Sequence, residues 1–147
     1  MTTKRPVQRS VPRGSSGTTP LTVAVWQAAG TPADVAANLA GLARAAEQAR
    51  SSGAELLITP EMYISGYELD ERLPEVATVD FLTPVRSLAK DLGIAIVLGG
   101  PDLAPEGIYN AAYFIDDAGA RPRNRRRCPL KHRDCWSSPQ ERTQTCS

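Results

Sequence analysis

Histidine, cysteine and aromatic residues are scarce in this 147-residue chain, whose length suits a single domain. His132 is the only histidine, which argues against a histidine-rich metal site and against a Ser-His-Asp triad. The three cysteines all lie in the last 20 residues, and an odd number at one end cannot form a disulfide framework. No apolar run approaches the roughly 20 residues that span a bilayer, so we expect no membrane partner. No glycine-rich phosphate loop is present, and we expect no cofactor.

Charge divides the chain into three parts. Residues 1–19 carry four basic residues and no acid, residues 20–120 have a net charge of −9, and residues 121–147 have a net charge of +6. The chain therefore consists of an acidic body between two basic ends. We predict a disordered basic N-terminal extension over residues 1–19 and a folded domain over residues 20–120. Residues 121–147 form a basic tail that is disordered, or that follows a reading frame diverted after residue 120.

Two binding functions of the tail have little support in its sequence. Four possible zinc ligands occur there, but their spacing matches no zinc module, so we expect no metal site. They are Cys128, His132, Cys135 and Cys146. The arginines of the tail could contact phosphates without sequence preference, so we expect no specific nucleic-acid partner.

The body alternates between apolar β-rich runs and amphipathic helical patterns. Strands are predicted over residues 21–26, 55–59, 94–98 and 109–115, the third ending at Gly99-Gly100-Pro101. One helix is expected to start with Thr31 as its cap and to end at Gly53, and a second to run from Thr83-Pro84 to Gly93. A loop with breakers at Gly66 and Pro74 separates the second strand from the second helix. This order predicts an α/β fold with a mainly parallel sheet.

Glu61 is the candidate functional residue. It follows Pro60 directly beyond the second predicted strand, and chemistry in open α/β sheets occurs at the carboxyl ends of strands. Its neighbours Ile58, Met62, Tyr63 and Ile64 are largely apolar, which predicts a carboxylate sheltered from water and suited to act as a general base. An ordinary loop carboxylate or helix cap is the alternative interpretation.

The segment around Glu61 resembles a signature of the carbon–nitrogen hydrolase (nitrilase) superfamily. In residues 56–67 a strand is followed by Pro-Glu-Met, an aromatic residue and a Gly-Tyr pair. Three further pieces agree with that family in order and spacing: Trp26-Gln27, Asn38-Leu39, and residues 93–97 with the later Tyr109-Asn110-Ala111-Ala112. The resemblance covers residues 20–120 and implies the first half of a layered α-β-β-α architecture.

The resemblance implies hydrolysis of a small amide, carbamoyl compound or nitrile by a Glu, a Lys and a Cys, with Glu61 as the base. The position of the family's Lys falls on Arg127, whose planar guanidinium does not substitute for an ammonium. Lys131-His132 lies four residues too late, and none of the three cysteines matches the motif of the nucleophile. We therefore predict a truncated enzyme that is weak or inactive.

A non-enzymatic remnant or interaction module with a basic tail is the alternative function. We expect a cytoplasmic protein. The resemblance further implies a small-molecule amide or nitrile as partner, and homo-oligomers for the intact family fold.

Overall fold

The computed structural model describes residues 19–120 and the backbone of residues 125–129. These residues form five strands, three α-helices and one turn of 3-10 helix. The strands are β1 (Val23–Val25), β2 (Leu56–Ile58), β3 (Ala95–Ala104), β4 (Gly107–Ile115) and β5 (Arg125–Pro129). The helices are α1 (Val35–Ser51), α2 (Leu73–Ala77) and α3 (Leu82–Leu92), and the 3-10 turn is Asp70–Arg72.

The five strands form one mixed sheet in the order β1-β2-β3-β4-β5. The pairs β1-β2 and β2-β3 are parallel, whereas β3-β4 and β4-β5 are antiparallel. The predicted α/β class is confirmed, but the sheet is only half parallel. Only residues 105 and 106 separate β3 from β4, and a link that short joins strands only as an antiparallel hairpin.

Strand β3 continues through Gly99, Gly100 and Pro101, so the prediction that these residues end it is wrong. Strand β2 ends at Ile58, opposite Val97, and the later residues of β3 pair with β4 alone. Proline has no N–H to donate to a neighbouring strand, so it is disfavoured in a central strand, whose N–H groups are all paired. It is tolerated where a strand lies at a sheet edge. Pro101 occupies such a position.

Both main helices begin after an aspartate rather than at the predicted threonines. The side chain of Asp34 caps α1 by accepting a hydrogen bond from the Ala37 N–H at 2.9 Å. Thr31 lies too early, because Ala33 has a φ of +56° and interrupts the helical backbone. At the start of α3, Asp80 accepts a hydrogen bond from the Thr83 N–H at 3.1 Å.

The predicted helix ends are confirmed, but one short helix is not foreseen by the sequence pattern. Gly53 and Gly93 follow α1 and α3 with φ of +83° and +61°, the left-handed conformation that glycine adopts readily. Between β2 and α3, the predicted loop contains the 3-10 turn and α2. Pro74 lies at the start of α2, where its missing N–H costs no helical hydrogen bond, and so it does not break the helix.

The two faces of the sheet differ in how they are covered. Helices α1 and α3 contact each other and pack with the sheet in one buried cluster. On that face the sheet contributes Leu57, Ile96, Leu98, Tyr113 and Ile115. The opposite face, which we call the open face, carries the row Val25, Ile58, Val97 and Phe114 across four strands. Val25 and Phe114 are 68% and 45% exposed, so the described residues leave much of this apolar row in water.

No helix among the described residues is both long and apolar enough to cross a membrane.

The Asp80 cap makes part of the stability of the fold dependent on pH. Hydrogen bonds from the Thr83 side chain and then from its backbone lower the pKa of Asp80 below its ordinary value of 3.8. Asp80 therefore stabilises the fold above that value, and its contribution is lost as pH falls through the lower pKa of the folded state.

We expect Asp80→Asn to lower the free energy of unfolding at neutral pH, and the difference from the wild type to close as the pH falls below 3.8 and through the lower pKa of the folded state. Urea unfolding at a series of pH values measures this difference. Asp91→Asn, near the other end of α3, is the control and should show no such loss. A difference that is equally large at neutral and acid pH would contradict the assignment.

Candidate active site

Glu61 lies in a tight turn that follows β2. The turn is closed by hydrogen bonds to the Met62 carbonyl, which accepts from the Ser65 N–H at 3.2 Å and from the Gly66 N–H at 2.9 Å. The Ser65 hydroxyl donates to the same carbonyl at 3.1 Å. Met62 itself has a φ of +50°, which is uncommon for a residue with a side chain and indicates that its surroundings hold it in place.

Close packing against β3 fixes the position of this turn. A Cβ atom built on Gly99 would lie 2.8 Å from the Met62 nitrogen and 2.9 Å from the Glu61 Cα, and would also overlap the Pro60 carbonyl oxygen. The Gly99 carbonyl accepts a hydrogen bond from the Ile64 N–H at 3.1 Å. Because Gly99 has no side chain, the backbone of Glu61 can lie directly against the strand.

The other side of the turn is attached to α1 through a buried asparagine. Asn38 donates from Nδ2 to the Ile64 carbonyl at 3.0 Å and to the Thr31 carbonyl at 2.9 Å. Its Oδ1 accepts from the Thr31 N–H at 2.7 Å, and its backbone carbonyl accepts from the Tyr63 hydroxyl at 3.0 Å. The ring of Tyr63 packs on Trp26 with centroids 4.7 Å apart. Asn38 therefore joins α1, the segment at Thr31 that precedes it and the turn into one unit.

Two side chains contact the Glu61 carboxylate from different parts of the fold. The Tyr67 hydroxyl donates to Oε2 at 3.4 Å, and the Asn110 amide, from β4, donates to Oε1 in a close contact. Both partners donate, which matches an ionised carboxylate because that group accepts at both oxygens. A carboxylate held in this way can accept a proton.

The carboxylate of Glu61 is exposed, so the expectation that apolar neighbours shelter it from water is wrong. Of the predicted neighbours, Met62, Tyr63 and Ile64 are buried and Ile58 is half-buried. The turn directs these side chains into the protein. Glu61 lies on the opposite side of the turn, with its backbone against Gly99 on the open face of the sheet.

Glu61 changes the acid–base behaviour of Tyr67. Partial burial is the main cause that raises the pKa of Tyr67 above 10.0, and the negative charge of Glu61 and the hydrogen bond to it raise the pKa further. Tyr67 is 43% exposed and can therefore report on the Glu61 charge in solution.

The other sequence-predicted residues lie partly on β5 and partly outside the described residues. The backbone register pairs Asn110 with Cys128 and Ala111 with Arg127, so both tail residues lie on the strand next to Asn110. Lys131, His132, Cys135 and Cys146 fall outside the described residues. In residues 19–120 there is no cysteine, and the one lysine is Lys90, in the last turn of α3.

Tyr67 and Asn110 lie in the segments that resemble the family, but the sequence assigns neither of them a function. An asparagine within an otherwise apolar strand is the one signal that singles out Asn110 in the sequence, since asparagine is depleted in strands. Among the described residues, no group of three or more His, Cys, Asp or Glu could hold a metal ion.

Comparisons with known proteins agree on one family. The family model for carbon-nitrogen hydrolase matches residues 22–146, and so includes most of the basic tail. A protein named as a hydrolase in the pqqF 5' region of Pseudomonas protegens is 36% identical over 120 residues, which are 78% of this chain and 41% of that protein. A nitrilase of Pyrococcus abyssi is 30% identical over 82 residues, 50% of this chain and 30% of the nitrilase.

Solved structures give the same result. An amidase from Nesterenkonia sp. superposes with a TM-score of 0.58 at 28% sequence identity, covering 73% of this chain and 42% of the amidase. A variant of that amidase shows Michael addition of acrylamide at its active-site cysteine. The chain therefore spans about two-fifths of the length of the first relatives that it matches.

The contact between Glu61 and Tyr67 can be tested by titration. We expect Glu61→Gln to lower the pKa of Tyr67 toward 10.0, because the charge is removed while the burial of the ring stays. NMR of protein labelled at tyrosine Cζ resolves the four tyrosines, and Tyr67→Phe assigns the signal. Glu68→Gln, which removes a charge from the residue next to Tyr67, should leave the midpoint near its wild-type value. Equal shifts in both variants would contradict a specific contact.

The packing on Gly99 gives a second test. We expect Gly99→Ala to displace the Glu61 turn, destabilise the fold by about 1–3 kcal/mol and lower the pKa of Tyr67. Gly53→Ala is the matched control, because its φ of +83° strains an alanine while a Cβ there meets no atom within 4 Å. Urea unfolding measures the loss of stability in each variant, and the Tyr67 titration measures whether the Glu61 turn is displaced. If Gly99→Ala loses stability but keeps the Tyr67 midpoint, the packing does not position Glu61.

Proposed function

This chain belongs to the carbon-nitrogen hydrolase family, and from that premise we propose that Glu61 is the general base for hydrolysis of a small non-peptide amide, carbamoyl compound or nitrile. The observation that carries the proposal is the carboxylate just beyond β2, held at its two oxygens by Tyr67 and Asn110. Open α/β sheets place their chemistry at this end of the strands.

The proposed reaction passes through a thioester. Glu61 takes the proton of a cysteine thiol, and the thiolate attacks the carbonyl carbon of the amide. A cation stabilises the oxyanion that forms, and ammonia leaves with the proton returned by Glu61. Glu61 then takes a proton from water, which attacks the thioester and releases the acid and the free thiol.

Glu61 is the one member of the Glu-Lys-Cys set that we assign in this chain. The thiol has support in a relative, since the Nesterenkonia amidase reacts at an active-site cysteine. Residues 19–120 contain no cysteine, so a nucleophile must come from outside them. We therefore propose a chain that releases ammonia at most slowly, and we carry over the expected cytoplasmic location and homo-oligomeric family fold as proposals.

The substrate class follows from the relatives and from the exposure of the site. Another structure of the Nesterenkonia amidase is a complex with butyramide. Its likeness to this chain has a TM-score of 0.56 at 29% identity. We propose a short primary amide of this kind, because hydrolysis of such a compound needs few contacts beyond those at the reacting group.

A second candidate function is that of an interaction module. It is favoured by the open face, where Val25 and Phe114 are exposed on a sheet whose other face is covered by helices. Apolar surface of this kind marks contacts with other polypeptides.

Ammonia release from butyramide tests the proposed function. We expect slow release by the purified chain and a decrease of about 100-fold or more, to the buffer background, in Glu61→Gln, because a general base contributes about 100-fold or more. Glu68→Gln, an exposed carboxylate seven residues on, is the matched control and should retain the wild-type rate. Equal release by Glu61→Gln and the wild type would contradict the base assignment. No release by any of the three would favour the interaction module.

A further inference from the structure

The Glu61 carboxylate needs external support to keep one orientation. Its side chain is exposed and has several rotatable bonds, whose restriction costs conformational entropy. A general base acts efficiently only when its oxygen stays within hydrogen-bonding reach of the proton that it removes. The contacts of the carboxylate therefore decide whether it can act as a base.

Of the two contacts, that of Asn110 is the better anchored. Tyr67 lies in the same loop as Glu61, six residues on, and its hydroxyl is 3.4 Å from Oε2. Asn110 lies 49 residues from Glu61 in sequence, in the middle of β4 and opposite Pro101 of β3. A side chain on a paired strand is held more rigidly than one on an exposed loop.

The same hairpin supports both the backbone and the side chain of Glu61. Strand β3 provides Gly99, against which the Glu61 backbone packs. Strand β4 provides Asn110, which contacts the carboxylate. Because β3 and β4 are paired along nine residues each, the distance between these two supports is set by the sheet.

We propose that Asn110 is a positioning residue, whose amide holds the Glu61 carboxylate in the orientation required for proton transfer. This inference rests on the proposed function for its catalytic consequence, but the positioning itself is a property of the folded chain. An asparagine at this point of a strand then has a reason, since leucine, valine or alanine could not donate to Oε1.

The titration of Tyr67 tests the positioning without any need for turnover. In Asn110→Ala, Glu61 keeps only its contact to Tyr67. Its exposed side chain then takes up several orientations, so its charge and hydrogen bond raise the pKa of Tyr67 less. We expect the Tyr67 midpoint to fall toward that of Glu61→Gln, measured by NMR of tyrosine Cζ. Ala112→Ser, two residues further on the same face of β4, should leave the midpoint unchanged. An unchanged or raised midpoint in Asn110→Ala would show that Glu61 keeps its place unaided, and would overturn the inference.

Asn110→Thr is a second variant for the case that Asn110→Ala does not fold. Threonine is favoured in strands, but its side chain is too short to replace the amide. This variant should give the same fall of the midpoint. In the ammonia assay we expect both variants to lose kcat by about 10- to 100-fold with little change in KM. A lower midpoint with an unchanged kcat would overturn the catalytic consequence. A wild type without turnover would defeat the proposed function, while the midpoint alone would still decide the positioning.

Discussion

The contact between the Glu61 turn and Gly99 is the constraint on which the site depends. At this point two backbones pass so closely that a methyl group between them would overlap the Pro60 carbonyl oxygen. The hydrogen bonds from Ile64 to the Gly99 carbonyl and from the Gly99 N–H to the Thr59 hydroxyl, both 3.1 Å, hold the turn against the strand. The position of the Glu61 carboxylate relative to its partners Tyr67 and Asn110 therefore depends on this contact.

The sequence pattern predicts strands and helices well where burial determines the pattern. It predicts their boundaries less well where tertiary contacts determine them. The apolar runs of β1 to β4 are visible because at least one face of each strand packs in the core. The sequence predicts the cap of α1 at Thr31, three residues before Asp34, because threonine and aspartate are both good caps and only the fold distinguishes them. Asn38 binds the Thr31 N–H and carbonyl and so keeps that residue outside the helix.

The partners of Glu61 were beyond prediction for a related reason. Glu61, which follows a predicted strand and Pro60, is recognisable from sequence as a site position. The contact with Asn110 depends instead on the register of β3 and β4, since a shift by one residue would turn Asn110 to the other face of the sheet. The pattern Gly99-Gly100-Pro101 suggested that β3 stopped there. Without the rest of β3, the hairpin and its register cannot be derived.

Position on the sheet connects the two candidate functions. Asn110 and Phe114 lie on the same face of β4, because alternate residues of a strand share a face. Glu61 is thus at the rim of the open face, and water that wets this face also reaches the carboxylate. Charges and hydrogen bonds act more strongly where water is excluded, so a base at this rim becomes more effective when the apolar row is covered. The matched part of the chain corresponds to about two-fifths of the length of these relatives. In the described residues, the exposed sheet face and the exposed Glu61 side chain are therefore two consequences of one uncovered surface.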